Sequence, residues 1–213
     1  MNDLLAMDPQ LQPGSALQLR PMLESDLPFL TALYASTREE ELRPVPWPDD
    51  AKAAFLASQF ALQHDHYSKH YPGASYAVVE HEGEHIGRLY WARMAGELRI
   101  LDIALLPGWR GRGFGSCLMR ALFRVADAEG RTVSIHVERN NPALELYRRL
   151  GFEFSEDRGV YFFLTRPARV AGQVTAEGVT AGPVTAEQVS AAQVNAAQVN
   201  AEQSIAGSGA TAA

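Results

Sequence analysis

A single cysteine, Cys117, stands among the 213 residues, so no intramolecular disulfide and no cysteine metal cluster can form. No apolar run approaches the ~20 residues that a bilayer-spanning helix requires. The segment Met1 to Gly14 has only a short Leu4-Leu5-Ala6-Met7 run among acidic residues and prolines. A secretory signal needs a basic start and a longer apolar stretch. Positive charge is not in excess: 19 Lys and Arg face 25 Asp and Glu, a net charge of −6. Nonspecific attraction to nucleic acid or to an anionic membrane is therefore not expected. These absences lead to the expectation of a soluble, cytoplasmic protein whose acidic balance suits an amine-bearing partner.

Hydrophobic residues make up 46% of the chain and charged residues 21%, an ordinary globular composition. Ala16 to Arg20 alternates like a half-buried strand. Glu24-Ser25-Asp26 offers capping side chains ahead of Leu27, Leu30, Leu33 and Tyr34 at helical spacing. Prolines at 44, 46 and 48 interrupt the helix, and Asp49-Asp50 opens a second one with Phe55, Leu56, Phe60 and Leu62 as packing residues. Beyond Pro72-Gly73 the period becomes two. Ser75–Glu80, Gly87–Met94 and Glu97–Leu106 read as strands joined by glycine-containing hairpins. Gly115 to Glu129 carries a helical stripe of Leu118, Met119, Leu122, Phe123 and Ala126, closed by Gly130. Thr132–Val137 is a strand, Asn141-Pro142 starts a helix that Gly151 ends, and Val160–Thr165 is a last strand. The order β-α-α-β-β-β-α-β-α-β predicts an α/β (α+β) domain, with helices flanking a mixed, mostly antiparallel sheet.

We expect a flexible segment over 1–15, one domain over 16–166 and a low-complexity tail over 167–213. In the tail a valine recurs every five residues from Val174 to Val199. That period matches neither helix nor strand, and the repeats carry no aromatic residue, so disorder is the expectation. A stack of pentapeptide β-helix coils is the alternative, but it would have only Val and Ala to fill its centre.

The chemistry concentrates in Arg110-Gly111-Arg112-Gly113-Phe114-Gly115, between a strand and a helix. Glycines let backbone N–H groups approach a bound group, and the helix start adds its dipole and unpaired donors. Together they suit a phosphate, most simply a pyrophosphate. A nucleoside triphosphate with magnesium is not expected because no Gly-Lys-Ser/Thr follows, and the glycine spacing breaks the dinucleotide pattern. The spacing Arg-x-x-Gly-x-Gly instead resembles the acetyl-CoA pyrophosphate loop of the GNAT superfamily. A second block agrees: Asn140 to Phe152 is similar to that superfamily's Asn-x-x-Ala-x-x-Leu-Tyr-x-x-x-Gly-Phe signature.

The resemblance, which covers Leu17 to Thr165, implies direct transfer of an acetyl group from acetyl-CoA to a primary amine in a ternary complex. It implies a strand that splays from its neighbour, with Ile103, Ala104 and Leu105 pairing with the pantetheine arm and the Leu105 N–H polarising the thioester carbonyl. Arg110 and the backbone of Gly111, Arg112, Gly113, Phe114, Gly115 and Ser116 would hold the pyrophosphate, with Asn140 reaching the cofactor. Tyr147 would protonate the departing thiolate as general acid. As plain packing, the same tyrosine would simply sit beside Leu146 and Leu150.

For a general base, Asp102 is the first choice, ahead of Glu97, Glu138 and His136; alternation puts Asp102 and Ile103 on opposite faces. Cys117 near a helix start reads as a packing residue and not a nucleophile, since direct transfer needs none. His64, His66 and His70 have no matched acidic partner for zinc, so no metal is expected. Glu39-Glu40-Glu41 and Asp49-Asp50 border the region where the superfamily selects its acceptor, but charge runs are as readily solvated. The acceptor, a small molecule or a peptide amine, stays open, as does a homodimer. Two other readings compete: a non-catalytic acyl-CoA sensor, and an interaction protein that works through its tail.

Overall fold

Two leucines alternate with polar residues at the start of the sheet, and both, Leu17 and Leu19, are buried on one face of β1 (Leu17–Pro21). The structure is a computed structural model that describes residues 16–169. The expectations for segment 1–15 and for the valine repeats fall outside the described residues. A 3₁₀ turn over Glu24–Asp26 leads into α1 (Leu27–Leu42). Asp26 does not cap that helix from its side chain. Its Oδ2 accepts from the Leu23 N–H at 2.7 Å, and its two oxygens accept from the Arg20 guanidinium at 2.6 and 2.7 Å. There follow α2 (Asp49–His70), β2 (Ser75–His81), β3 (Glu84–Met94), β4 (Glu97–Leu105), α3 (Phe114–Ala128), β5 (Thr132–Glu138), α4 (Leu144–Arg149), β6 (Glu153–Arg158) and β7 (Tyr161–Arg166).

The strands form one sheet in the order β1-β2-β3-β4-β5-β7-β6. Every neighbouring pair is antiparallel except β4 and β5. This is the mixed, mostly antiparallel sheet with flanking helices that the pattern predicts. It has one strand more, β6, because Glu153–Arg158 lacks an apolar alternation. Nearly all of it is exposed, Phe154 included at 60%, so no buried face marks it in the sequence.

Each face of the sheet carries its own core. On one, the α3 stripe of Leu118, Met119, Leu122 and Phe123 packs on Leu98, Ile100, Val133 and Ile135. On the other, Leu30, Leu33 and Tyr34 of α1 meet Leu56 and Phe60 of α2 over Val78. Leu62, expected in this core, is 43% exposed. It lies two residues past Phe60, and two residues turn a helix by about 200°, onto the opposite side. Between β3 and β4 the backbones close up at Gly87. A Cβ there would sit 2.3 Å from the Ala104 carbonyl oxygen and 3.2 Å from the Leu105 Cα, so only glycine lets this end of β4 lie as it does. Among the described residues no helix is long and apolar enough to cross a membrane.

Asp26 is 3% exposed, and its hydrogen bonds from Arg20, opposed by burial, hold its carboxyl down at about 2. The unfolded value is about 3.9, so this contribution is complete above that pH and is lost as pH falls toward the folded value. Asp26→Asn is therefore expected to cost about 1–2 kcal/mol at neutral pH in urea unfolding. Repeated at falling pH, the measurement should show the wild-type advantage shrinking below about pH 4 and gone near pH 2.

Candidate active site

β4 and β5 run parallel and pair only from Glu97 opposite Thr132 to Ile100 opposite Ile135. Beyond those residues the strands separate. The cause lies in β4: its register against β3 shifts between Tyr90 and Trp91, which leaves Leu101 as an extra residue. The Leu101 carbonyl is held from the other side, accepting from the Tyr67 hydroxyl of α2 at 3.0 Å. The gap opens into a cleft of about 800 Å³ lined by Leu101 to Ala104 of β4, His136 and Val137 of β5, Tyr34, Ser36, Thr37 and Arg38 of α1, and Tyr147. Past the bulge, Asp102 turns toward Arg88 while Ile103 packs with the α3 core, so the two do lie on opposite faces.

At the mouth, β4 gives way to a 3₁₀ turn (Pro107–Trp109) and then to the glycine loop. Gly111 and Gly113 take φ of 74° and 88°, a region costly for residues with a Cβ, and Gly113 precedes the first turn of α3. The first N–H groups of a helix have no intrahelical acceptor, so this turn presents donors next to the cleft. Phe114 stacks near Trp109 and His81 and fixes the helix start, while the Arg112 guanidinium lies 5.0 Å over the Trp109 ring. Arg110 points back: its Nε donates to the Leu105 carbonyl at 2.8 Å, and its Nη2 donates to Ser36 O and Oγ at 3.2 and 3.3 Å. It thereby ties β4 to α1.

Tyr147 is 5% exposed, packed edge-on to Phe152, yet reaches the cleft wall. Burial first, and then the Asp102 carboxylate, push its phenol well above the usual value, so it is protonated at neutral pH. The α4 helix that carries it begins at Leu144, later than expected. The Asn141 side chain accepts from the Ala143 N–H at 2.8 Å, which makes a turn ahead of the helix instead of its cap. Asn140 stands exposed at the cleft rim. Of the candidate residues, Asp102, Ile103, Ala104, Arg110, Asn140 and Tyr147 share the cleft wall, while Leu105 and Gly111 to Ser116 are not among its lining residues and adjoin it only through Arg110, which bonds the Leu105 carbonyl.

Asp102 has both oxygens engaged: Arg88 Nε donates to Oδ1 at 3.0 Å and Nη2 to Oδ2 at 2.7 Å. Arg88 is 2% exposed, takes Gln63 as a further acceptor at 2.9 Å, and lies 5.2 to 5.9 Å from the rings of Tyr90, Phe60 and Tyr34. Glu138 is likewise committed, accepting from both Nη atoms of Arg38 at 3.2 and 2.7 Å across the cleft. Glu97 pairs with Arg99. His136 Nε2 lies 3.0 Å from the Arg158 guanidinium, and burial, with Arg99 and Arg158 nearby, lowers its pKa to about 4, so its ring is neutral at pH 7. Glu39 to Glu41 line the outer cleft, with Glu41 bonded to Arg38; Asp49 and Asp50 do not line it. His66 and His70 stack on each other 4.1 Å apart, and among the described residues no group of three metal-ligating side chains converges. Sequence reasoning passed over Arg88, Arg38 and Tyr67. A charge inside the otherwise apolar run of β3 was the available signal for the first.

Residues 72–154 match the sequence model of a family described as Acetyltransferase (GNAT) domain. Among curated proteins, a mycothiol acetyltransferase of Corynebacterium glutamicum is 37% identical over 84 residues, 38% of this chain and 29% of that protein. A [ribosomal protein bS18]-alanine N-acetyltransferase of Haemophilus influenzae is 31% identical over 67 residues, 31% of this chain and 46% of its own length. The matches thus span less than half of either relative. Among solved structures, a PaiA N-acetyltransferase of Thermoplasma acidophilum in complex with coenzyme A superposes with a TM-score of 0.56. It is 15% identical, over 71% of this chain and 98% of that one. Residues 72–154 thus resemble a GNAT acetyltransferase domain, and the fold around the splayed parallel pair and the glycine loop is shared with a solved N-acetyltransferase.

Removing one partner of a buried ion pair strands the other charge, which costs about 3–5 kcal/mol. Asp102→Ala is expected to lower the unfolding free energy by that amount in urea titration. A change within about 0.5 kcal/mol, the range of ordinary surface substitutions, would show that Arg88 finds its stabilisation elsewhere.

Proposed function

We propose that the domain is an N-acetyltransferase that moves the acetyl group of acetyl-CoA to a primary amine by direct attack in a ternary complex. The observation that carries this reading is the opening of β4 from β5 beside a glycine loop, with a protonated tyrosine in the wall. The separated edges leave main-chain groups of Ile103, Ala104 and Leu105 for the amides of the pantetheine arm. Backbone donors from Gly111 to Ser116 suit the pyrophosphate, with Arg110 and Arg112 as nearby cations and Asn140 at the rim. Acetyl-CoA supplies the activated thioester when bound.

In this reading the amine lone pair attacks the thioester carbonyl carbon, and the Leu105 N–H stabilises the negative charge that gathers on oxygen. Collapse breaks the C–S bond, and the Tyr147 hydroxyl gives its proton to the departing sulfur. Asp102 is poorly placed to take the amine proton directly, because Arg88 occupies both of its oxygens. Its charge instead helps to keep Tyr147 protonated. The amine then enters neutral and its proton leaves to water. An amine acceptor is in keeping with the relatives' names, a mycothiol acetyltransferase and a [ribosomal protein bS18]-alanine N-acetyltransferase.

The test is calorimetry with acetyl-CoA, followed by an acetyl-CoA consumption screen across polyamines, amino acids, aminoglycosides and peptides. Binding to one site and turnover with at least one amine are expected; no association at millimolar cofactor overturns the reading. Tyr147→Phe is expected to lower kcat by about 10²–10⁴ with cofactor affinity retained. Unchanged turnover would remove the acid role. With no committed base, kcat/KM should climb with pH until it levels near the pKa of the acceptor amine.

A further inference from the structure

A second hollow, of about 320 Å³, lies away from the cleft and shares no wall residue with it. Its wall is built from the outer face of α3, the end of α4 and the chain just past β7. Arg120, Phe123, Arg124 and Asp127 fall at i, i+3, i+4 and i+7, which places them along one side of α3. Arg149 comes from α4, and Arg166 and Arg169 from the end of β7 and beyond. Five arginines thus surround one aspartate, an excess of four positive charges.

The site is built from fixed side chains at its base. Arg166 is 4% exposed, with its guanidinium 4.2 Å over the Phe123 ring, and its Nη1 and Nη2 donate to the two Asp127 oxygens at 2.8 and 3.0 Å. Its buried Nε has no hydrogen-bond partner among the described residues. Asp127 Oδ1 also accepts from the Arg169 N–H at 2.7 Å, which brings the Arg169 side chain over Gly151. A Cβ at Gly151 would stand 2.9 Å from Arg169 Nη2, so this glycine leaves room for the arginine as well as turning the chain at φ 89°. Arg120, Arg124, Arg149 and Arg169 are open to solvent around this base.

We infer that this hollow is a binding site for a phosphate-bearing small molecule, separate from the acyl-transfer cleft. Guanidinium forks match phosphate oxygens in pairs. A monocarboxylate would leave most of the positive excess unmatched, whereas a phosphate ester or diphosphate carries two or more charges and offers oxygens in several directions. Asp127 and Arg166 are 13 and 52 residues beyond the start of α3 at Phe114. At 1.5 Å per residue, the helix carries Asp127 about 20 Å from the glycine loop. The inference is independent of whether the cleft transfers an acyl group.

The test uses the full chain, with inorganic pyrophosphate as probe, at low salt and with coenzyme A already saturating its own site. Cofactor binding is measured first, so a failure of the acyl-transfer reading appears there and not in the probe titration. Saturable binding of one pyrophosphate is expected, and the Arg120→Gln/Arg149→Gln variant should weaken it by about tenfold or more. Lys52→Gln/Lys69→Gln, which removes the same charge on α2, should leave it unchanged, and both variants should bind coenzyme A like wild type. Absence of saturable binding, or equal weakening by both variants, overturns the inference. So does a pocket variant that loses affinity for coenzyme A but not for its 3′-dephospho form, since the phosphate would then be the cofactor's own.

Discussion

Arg88 brings a full positive charge to a place that water does not reach, and the cleft is arranged around keeping it there. A guanidinium so deep depends on its partners. Asp102 takes two of its donors and Gln63 another, Nη1 has no hydrogen-bond partner among the described residues, and three aromatic rings lie around the group at cation–π distance. Because these partners come from β4, α2 and α1, satisfying one side chain fixes the relative placement of three elements. Asp102 is the residue after the bulged Leu101, so the ion pair and the Tyr67 hydrogen bond pin both sides of the irregularity that turns β4 away from β5.

The same arginine chemistry sets the electrostatics of the cleft. Asp102 and Glu138 are the carboxylates in its inner wall, and each is neutralised by a guanidinium, Arg88 and Arg38. Little uncompensated charge is left near Tyr147, whose own burial favours the neutral phenol.

What could be read from residue order was local. The α3 stripe and its glycine loop were legible because helical period, turn chemistry and chain direction are all properties of neighbouring residues. Hairpins with glycine at their tips were legible for the same reason. The bulge at Leu101 was not, since an extra residue exists only relative to a partner strand's register. Arg88 advertised itself as a charge in an apolar strand, but its partner Asp102 lies across a hairpin and its third acceptor, Gln63, on a helix. Asn141 ahead of Pro142 signals a chain reversal, and its side chain does bond forward to the Ala143 N–H; whether such a bond begins a helix or a turn depends on how α4 packs. The outermost strand, β6, is exposed along nearly its whole length and is held to β7 by main-chain pairing and polar side chains with Phe154 as its one large apolar residue, which leaves little hydrophobic trace.

The short pairing between β4 and β5 has a mechanical meaning. Four strands on one side and three on the other are joined by four residue positions of parallel ladder and by α3 lying over the seam. The sheet is in effect two plates with a narrow weld. A long, thin molecule laid in the notch would offer hydrogen bonds to both exposed margins and act as the missing rung between them. Occupancy of the notch and rigidity of the whole domain are then one event, and the plates move most freely with respect to each other when nothing lies between them.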